Sequence, residues 1–151
     1  MIKYLRLLVL LLLITSCNSN NKKNNHADYS INKKNTALDP QLKDTYERGK
    51  LVYEDMCITC HMSNGKGAPK AFPPLAQSDY LKENQEASIR GVKKGMSGEI
   101  VVNGVTYNSV MTPLGLSNEE VADVMNYINN SWGNNYGEII TAEDVIKVIK
   151  N

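Results

Sequence analysis

Cys57-Ile58-Thr59-Cys60-His61 is the stretch on which the reading of this chain turns. Two thiols stand three residues apart, about one helical turn, and a histidine follows the second directly. Sulfurs so spaced reach the two vinyl groups of one porphyrin, and the imidazole then lies under the iron as its ligand. The pentapeptide therefore reads as a covalent haem attachment site. Three other uses of a Cys-x-x-Cys pair compete with it. A thioredoxin-like redox pair expects a βαβ setting, and the flanks here are helical. Half of a zinc site expects further ligands, and the chain has three cysteines and two histidines in all. A structural disulfide is open to an exported chain. None of the three requires His61.

Outward from the pentapeptide, the pattern is mostly helical. Tyr46, Gly49, Val52, Tyr53 and Met56 recur at helical spacing and predict a helix over 45–56. Gly49 weakens that helix, which a close helix–helix crossing would explain. Downstream, Gly65, Gly67, Pro69, Pro73 and Pro74 punctuate a loop over 63–74. A short helical turn is expected at Ser78–Leu81. A helix follows over 85–94, with Ile89 and Val92 inward and Gly95 as its stop. Asn103-Gly104 between Ile100-Val101-Val102 and Val105-Thr106-Tyr107 predicts a hairpin. Ser117 and Glu120 form a capping box for a helix running to about Trp132. Its stripe is Val121, Val124, Met125 and Ile128, and Gly133 stops it. Thr141 heads a last short helix to Lys150 that carries Val145, Ile146, Val148 and Ile149. The sum is an all-α domain with one hairpin, placed at 39–151.

The N-terminus accounts for the third cysteine. Lys3 and Arg6 precede an unbroken apolar run of eight residues, Leu7 to Ile14, and Thr15 and Ser16 follow. That is the order of a secretory signal, far short of the ~20 residues of a spanning helix. Ile14-Thr15-Ser16-Cys17 resembles the lipobox of bacterial lipoproteins. The resemblance implies removal of residues 1–16, acylation of Cys17, and a chain lipid-anchored to a bacterial membrane, facing the periplasm or the outer side. Loss of Lys3 and Arg6 with the signal takes the formal charge from +1 to −1. A charge so near zero implies no nucleic-acid partner. Residues 17–38 read as a tether. Between Asn18 and Asn35, seven residues are Asn and four are Lys, too polar to offset the entropy of ordering. Some 20 flexible residues span roughly 25 Å. His26 lies within the tether.

From about Asp44 to Asn134 the chain resembles the class I cytochrome c family, a small helical bundle wrapped around one haem. In that family the first helix crosses the last long one at a glycine and an aromatic. Gly49 and Tyr53 match on the first helix, Val124 and Tyr127 on the last. Pro73-Pro74-Leu75 matches the segment in which a proline carbonyl accepts a hydrogen bond from the proximal histidine and a leucine packs on the haem. The resemblance thus implies these roles for Pro73 and Leu75. It also implies a second axial ligand, a downstream methionine. Met56 and Met62 lie too close to the attachment motif, and Met125 sits on the helix stripe. Met96 and Met111 remain. Tyr107-Asn108-Ser109-Val110-Met111-Thr112-Pro113 resembles the family's ligand segment, which favours Met111 over Met96. Ser109 stands where glycine is common and Thr112 where proline is. A positive φ at 109 would strain the serine. Tyr107, Arg90 and Trp132 are left open as neighbours of the haem propionates.

The implied cofactor is one covalent haem c with His61 and Met111 on the iron. Two protein ligands disfavour substrate binding, so the expectation is an electron-transfer protein and not an enzyme. Its expected partners are redox proteins: an oxidase, a reductase or a quinol-oxidising complex. It would work as a monomer or as a subunit of a redox complex. A haem enzyme or gas-binding protein with an open sixth position is the competing reading. It finds neither a spare histidine in the domain nor an evident acid–base pair.

Overall fold

The computed structural model describes residues 40–151. Cys17, His26, the signal and the tether lie outside them. The described elements are α1 (Pro40–Met56), α2 (Ile58–His61), α3 (Asp79–Glu83), α4 (Gln85–Lys94), β1 (Ile100–Val102), β2 (Val105–Tyr107), α5 (Asn118–Asn129) and α6 (Ala142–Lys150). The architecture is helix-dominated with one antiparallel strand pair. In that pair Ile100 faces Tyr107 and Val102 faces Val105. None of the described helices is long and apolar enough to cross a membrane.

The frame is the crossing of α1 and α5. Thr45, Gly49 and Tyr53 recur every four residues and form the buried edge of α1. A Cβ built on Gly49 would lie 1.9 Å from the Asp123 carbonyl oxygen and 3.0 Å from Tyr127 Cβ. Only glycine lets the two backbones approach this closely. Tyr53, Tyr127, Tyr46 and Trp132 stack beside the crossing, with ring centroids 5.0–5.5 Å apart. Such pairs contribute ~0.5–1.5 kcal/mol each beyond their area.

Helix α5 is buried on every side from Val121 to Asn129, more than its apolar stripe predicts. Its buried polar residues Asp123, Asn126 and Asn129 are all hydrogen-bonded. Asp123 accepts a hydrogen bond from Thr45 and a two-pronged contact from Arg48, at 2.6 and 2.8 Å. Asn126 holds the Ile140 backbone through both its amide atoms. Asn129 pairs with Gln85 of α4. The capping box is complete, with Ser117 Oγ accepting from the Glu120 N–H and Glu120 accepting from the Ser117 N–H. The helix stops at Asn129 and not near Trp132. Asn130 and Ser131 turn back onto the Tyr127 and Ile128 carbonyls three residues earlier, and Trp132 takes a left-handed φ of 53°. Helix α1 begins five residues earlier than the periodicity predicts, because its first turn is mostly polar and gives no apolar signal.

Helix α6 packs on α4 and α5 through Val145 and Val148. Thr141 and Asp144 close a second capping box. Those bonds, with Lys147 beside them, hold the Asp144 carboxyl down to about 2.

Candidate functional site

Between these elements lies a cleft with a mostly apolar lining. Cys57, Cys60, His61, Pro73, Leu75, Met96 and Met111 all line it. Residues from four separate places in the sequence are thus brought to one surface.

The His61 wall is built locally. The Cys57 amide bonds the last turn of α1 through the Tyr53 carbonyl, and His61 bonds back to Cys57, so the pentapeptide is one continued helical turn. Cys57 is buried and Cys60 partly so, and no disulfide joins them. Burial, and then Cys60, push the Cys57 thiol up to about 11. Reactive exchange thiols are shifted the other way, which counts against thiol–disulfide chemistry. Among the described residues no three histidine, cysteine or carboxylate side chains gather to hold a metal ion, so the zinc reading gains no partners.

His61 Nδ1 lies 3.0 Å from the Pro73 carbonyl. A carbonyl only accepts, so Nδ1 carries the proton and donates. The Nε2 lone pair is left for a metal. Burial lowers the imidazole's proton affinity, and the Pro73 bond partly offsets this. The loop holds that carbonyl in place with a left-handed glycine. Gly67 donates to the His61 carbonyl at 3.0 Å, and a Cβ on it would strike Pro73 O at 2.7 Å. Leu75 and Ala76 close the loop on the Gly65 carbonyl.

A second wall comes from residues 95–111. Met96 and Met111 form an isolated antiparallel bridge, Met96 N to Met111 O 2.8 Å and the reverse 2.9 Å. Gly95, at φ 77°, makes room for it: a Cβ there would meet Met111 O at 2.6 Å. The Met96 sulfur packs over Gly91 of α4, 3.3 Å from where a Cβ would stand. Ser109 is not left-handed, so the anticipated strain is absent. Its hydroxyl donates to the Ala71 carbonyl and ties this segment to the His61 loop.

The hairpin supplies Ile100, Val102 and Tyr107, with its tip locked to α3 by reciprocal bonds between Asp79 and Asn103. Of the three residues left open for the propionates, only Tyr107 lines the cleft. Arg90 donates to the Val148 carbonyl, and Trp132 donates to the Ser63 carbonyl while stacking on Tyr53. Sequence reading missed Phe72, Tyr80, Ser88 and the Gly91 notch. The period-two alternation of Ile100 and Val102 was a legible signal for the hairpin's inner face.

The arrangement fits a porphyrin. It offers two thiols on one helical turn, an imidazole oriented by its far nitrogen, a predominantly apolar lining, and thioethers in the same cleft.

Comparison with known proteins agrees. The Cytochrome c family pattern matches residues 46–132. Cytochrome c-552 of Thermus thermophilus is 42% identical over 90 residues, covering 56% of this chain and 68% of that protein. The cytochrome c subunit of a quinone alcohol dehydrogenase from Gluconobacter oxydans is 32% identical over 103 residues, 66% of this chain and 21% of that subunit. The gluconate 2-dehydrogenase cytochrome c subunit of Pantoea cypripedii is 31% identical over 111 residues, 72% and 25%. The match therefore spans about two-thirds of the first relative and a quarter or less of the dehydrogenase subunits.

Proposed function

The chain belongs to the cytochrome c family, whose cofactor is covalently bound haem c, and we propose that it carries single electrons between redox proteins as a His61/Met111-ligated haem protein. The observation that carries this is the convergence of Cys57, Cys60, His61 and Met111 on one apolar cleft. Bound there, haem supplies a reversible one-electron iron couple. Cys57 and Cys60 would hold the ring through thioethers. The Pro73 carbonyl orients His61 and strengthens it as a donor. Leu75, Leu81, Val92, Val102 and Ile128 keep water from the ring, which favours the less charged reduced iron. A thioether ligand pushes the potential the same way. Met111 is preferred over Met96 because the segment from Tyr107 to Pro113 resembles the family's ligand segment, while the Met96 sulfur rests against Gly91.

The relatives named as dehydrogenase cytochrome subunits support a place beside a dehydrogenase or quinol-oxidising complex, with an oxidase or reductase as acceptor. The lipobox-like N-terminus supports a lipid anchor on Cys17 and an exported location.

Visible spectra of oxidised and reduced protein, with a pyridine haemochrome assay, test the core of this reading. Sharp low-spin α and β bands and one haem per chain are expected. A colourless protein of apoprotein mass, from a host competent in haem attachment, would sink it. Cys17→Ser should release the protein from the membrane fraction. If the variant stays there, the anchor is wrong.

A further inference from the structure

The two methionines that compete for the ligand role are neighbours in space. They exchange both backbone hydrogen bonds, at 2.8 and 2.9 Å, so they form a hydrogen-bonded antiparallel pair. In such a pair the Cα atoms lie ~5.5 Å apart and the side chains leave the same face of the ribbon. Both residues line the haem cleft. Methionine has three rotatable bonds in its side chain, so either sulfur sweeps much of that separation by rotamer change alone.

Their supports differ. Met111 follows Ser109 and Val110, and Val110 is 69% exposed, so the segment bearing it has little packed around it on the outer side. Met96 leaves α4 directly after Gly95, and its sulfur sits against the Gly91 notch. That contact is van der Waals only and is given up at small cost.

We propose that Met96 is a reserve ligand for the same iron. When Met111 releases the iron, Met96 takes its place. One iron–sulfur bond breaks and another forms, with no proton or electron exchanged. The effect is to keep the sixth position closed to small exogenous ligands while the outer segment shifts, so that the chain stays an electron carrier. This rests on Met111 being the resting ligand, as argued above.

The test uses holoprotein matured in a competent host, with Met111→Leu, Met96→Leu and the double variant. Leucine nearly conserves volume and cannot ligate. Met111→Leu should remain largely low-spin. Its reduced form should bind carbon monoxide about tenfold or more weakly than the double variant does, as expected when the open state is a tenth or less of the population. Identical spin state and affinity in Met111→Leu and the double variant overturn the reserve role but leave Met111 as ligand. An unchanged spectrum in Met111→Leu with an open iron in Met96→Leu overturns the ligand assignment itself. If Met111→Leu does not accumulate, Met96→Leu alone decides. In denaturant just below unfolding, where the outer segment has loosened and released Met111, oxidised Met96→Leu should bind imidazole about threefold or more tightly than the wild type, and equal affinity there overturns the proposal.

Discussion

On the His61 wall, hydrogen bonds span short stretches of chain: His61 to Pro73, Gly67 to His61, Leu75 and Ala76 to Gly65. On the methionine wall the partners come from afar. Met111 pairs with Met96 and Ser109 reaches back to Ala71, while α4 beneath is held by α5 and α6. Both walls use one device, a left-handed glycine seated under a carbonyl: Gly67 under Pro73, Gly95 under Met111. The difference lies in what surrounds that glycine. The first wall is closed by local geometry around the pentapeptide proposed to hold haem covalently. The second is held by one bridge, one hydroxyl and tertiary packing. It follows that the first wall should be defined early in folding and resist perturbation, while the second should be the adjustable one.

The largest expected effect breaks the first wall at its staple. Replacing Cys57 and Cys60 together by serine should abolish covalent haem, read as loss of the haem mass on denaturation. Retained mass would mean another attachment point. Next comes Gly67→Ala, whose Cβ would meet Phe72 O at 2.3 Å and Pro73 O at 2.7 Å. With the left-handed penalty added, a cost of about 3 kcal/mol is expected in denaturant unfolding, together with a raised potential as the His61 bond is disturbed and the imidazole becomes a weaker donor. Gly95→Ala is the matched change on the methionine wall. It should cost about 2 kcal/mol and act mainly on the methionine–iron bond, seen as weakened ligation in the visible spectrum with the His61 side unaltered. If the two glycine variants behave alike in stability and spectrum, the contrast between the walls is false. Ser109→Ala removes the single hydroxyl tie between them and should cost about 1 kcal/mol.

The smallest effect lies outside both walls, in the α6 cap. Asp144 sits at about 2, below its ordinary 3.8. A depressed carboxyl contributes stability above its unfolded value, and that contribution is lost as pH falls from near 4 toward 2. Asp144→Asn should therefore lower stability at neutral pH slightly and flatten the curve in that window. An unchanged acid slope would mean that the cap contributes nothing.

Much of this molecule was legible because its signals are local. Asn103-Gly104 specifies a hairpin through its own backbone preferences, Ser117 and Glu120 cap a helix three residues apart, and Gly95 ends one. The walls' chemistry was quoted from Cys57, Cys60, His61, Pro73, Leu75 and Met111, which line a single cleft. The polar frame under the crossing was not legible. Nothing near Asp123 in sequence announces that Arg48 and Thr45 will meet it, 75 and 78 residues away. Nor does periodicity say that α5 is buried on the side bearing Asn126 and Asn129. Boundaries at Pro40 and Asn129 slipped because the flanking turns are polar and follow backbone bonding, not apolar spacing.

The sequence by itself determined the helical segments, the hairpin, the helical turn of the Cys57–His61 pentapeptide and the glycine that demands a crossing. Each of these depends on residues within one or two turns of one another, where bond geometry and side-chain spacing act directly. Only the tertiary structure decided that Met96 and Met111 face each other across one bridge, that Arg90 and Trp132 turn away from the cleft, and that Ser109 is unstrained. Those outcomes depend on which distant backbones come into register, and that is settled by packing summed over the whole core, beyond the reach of any local pattern.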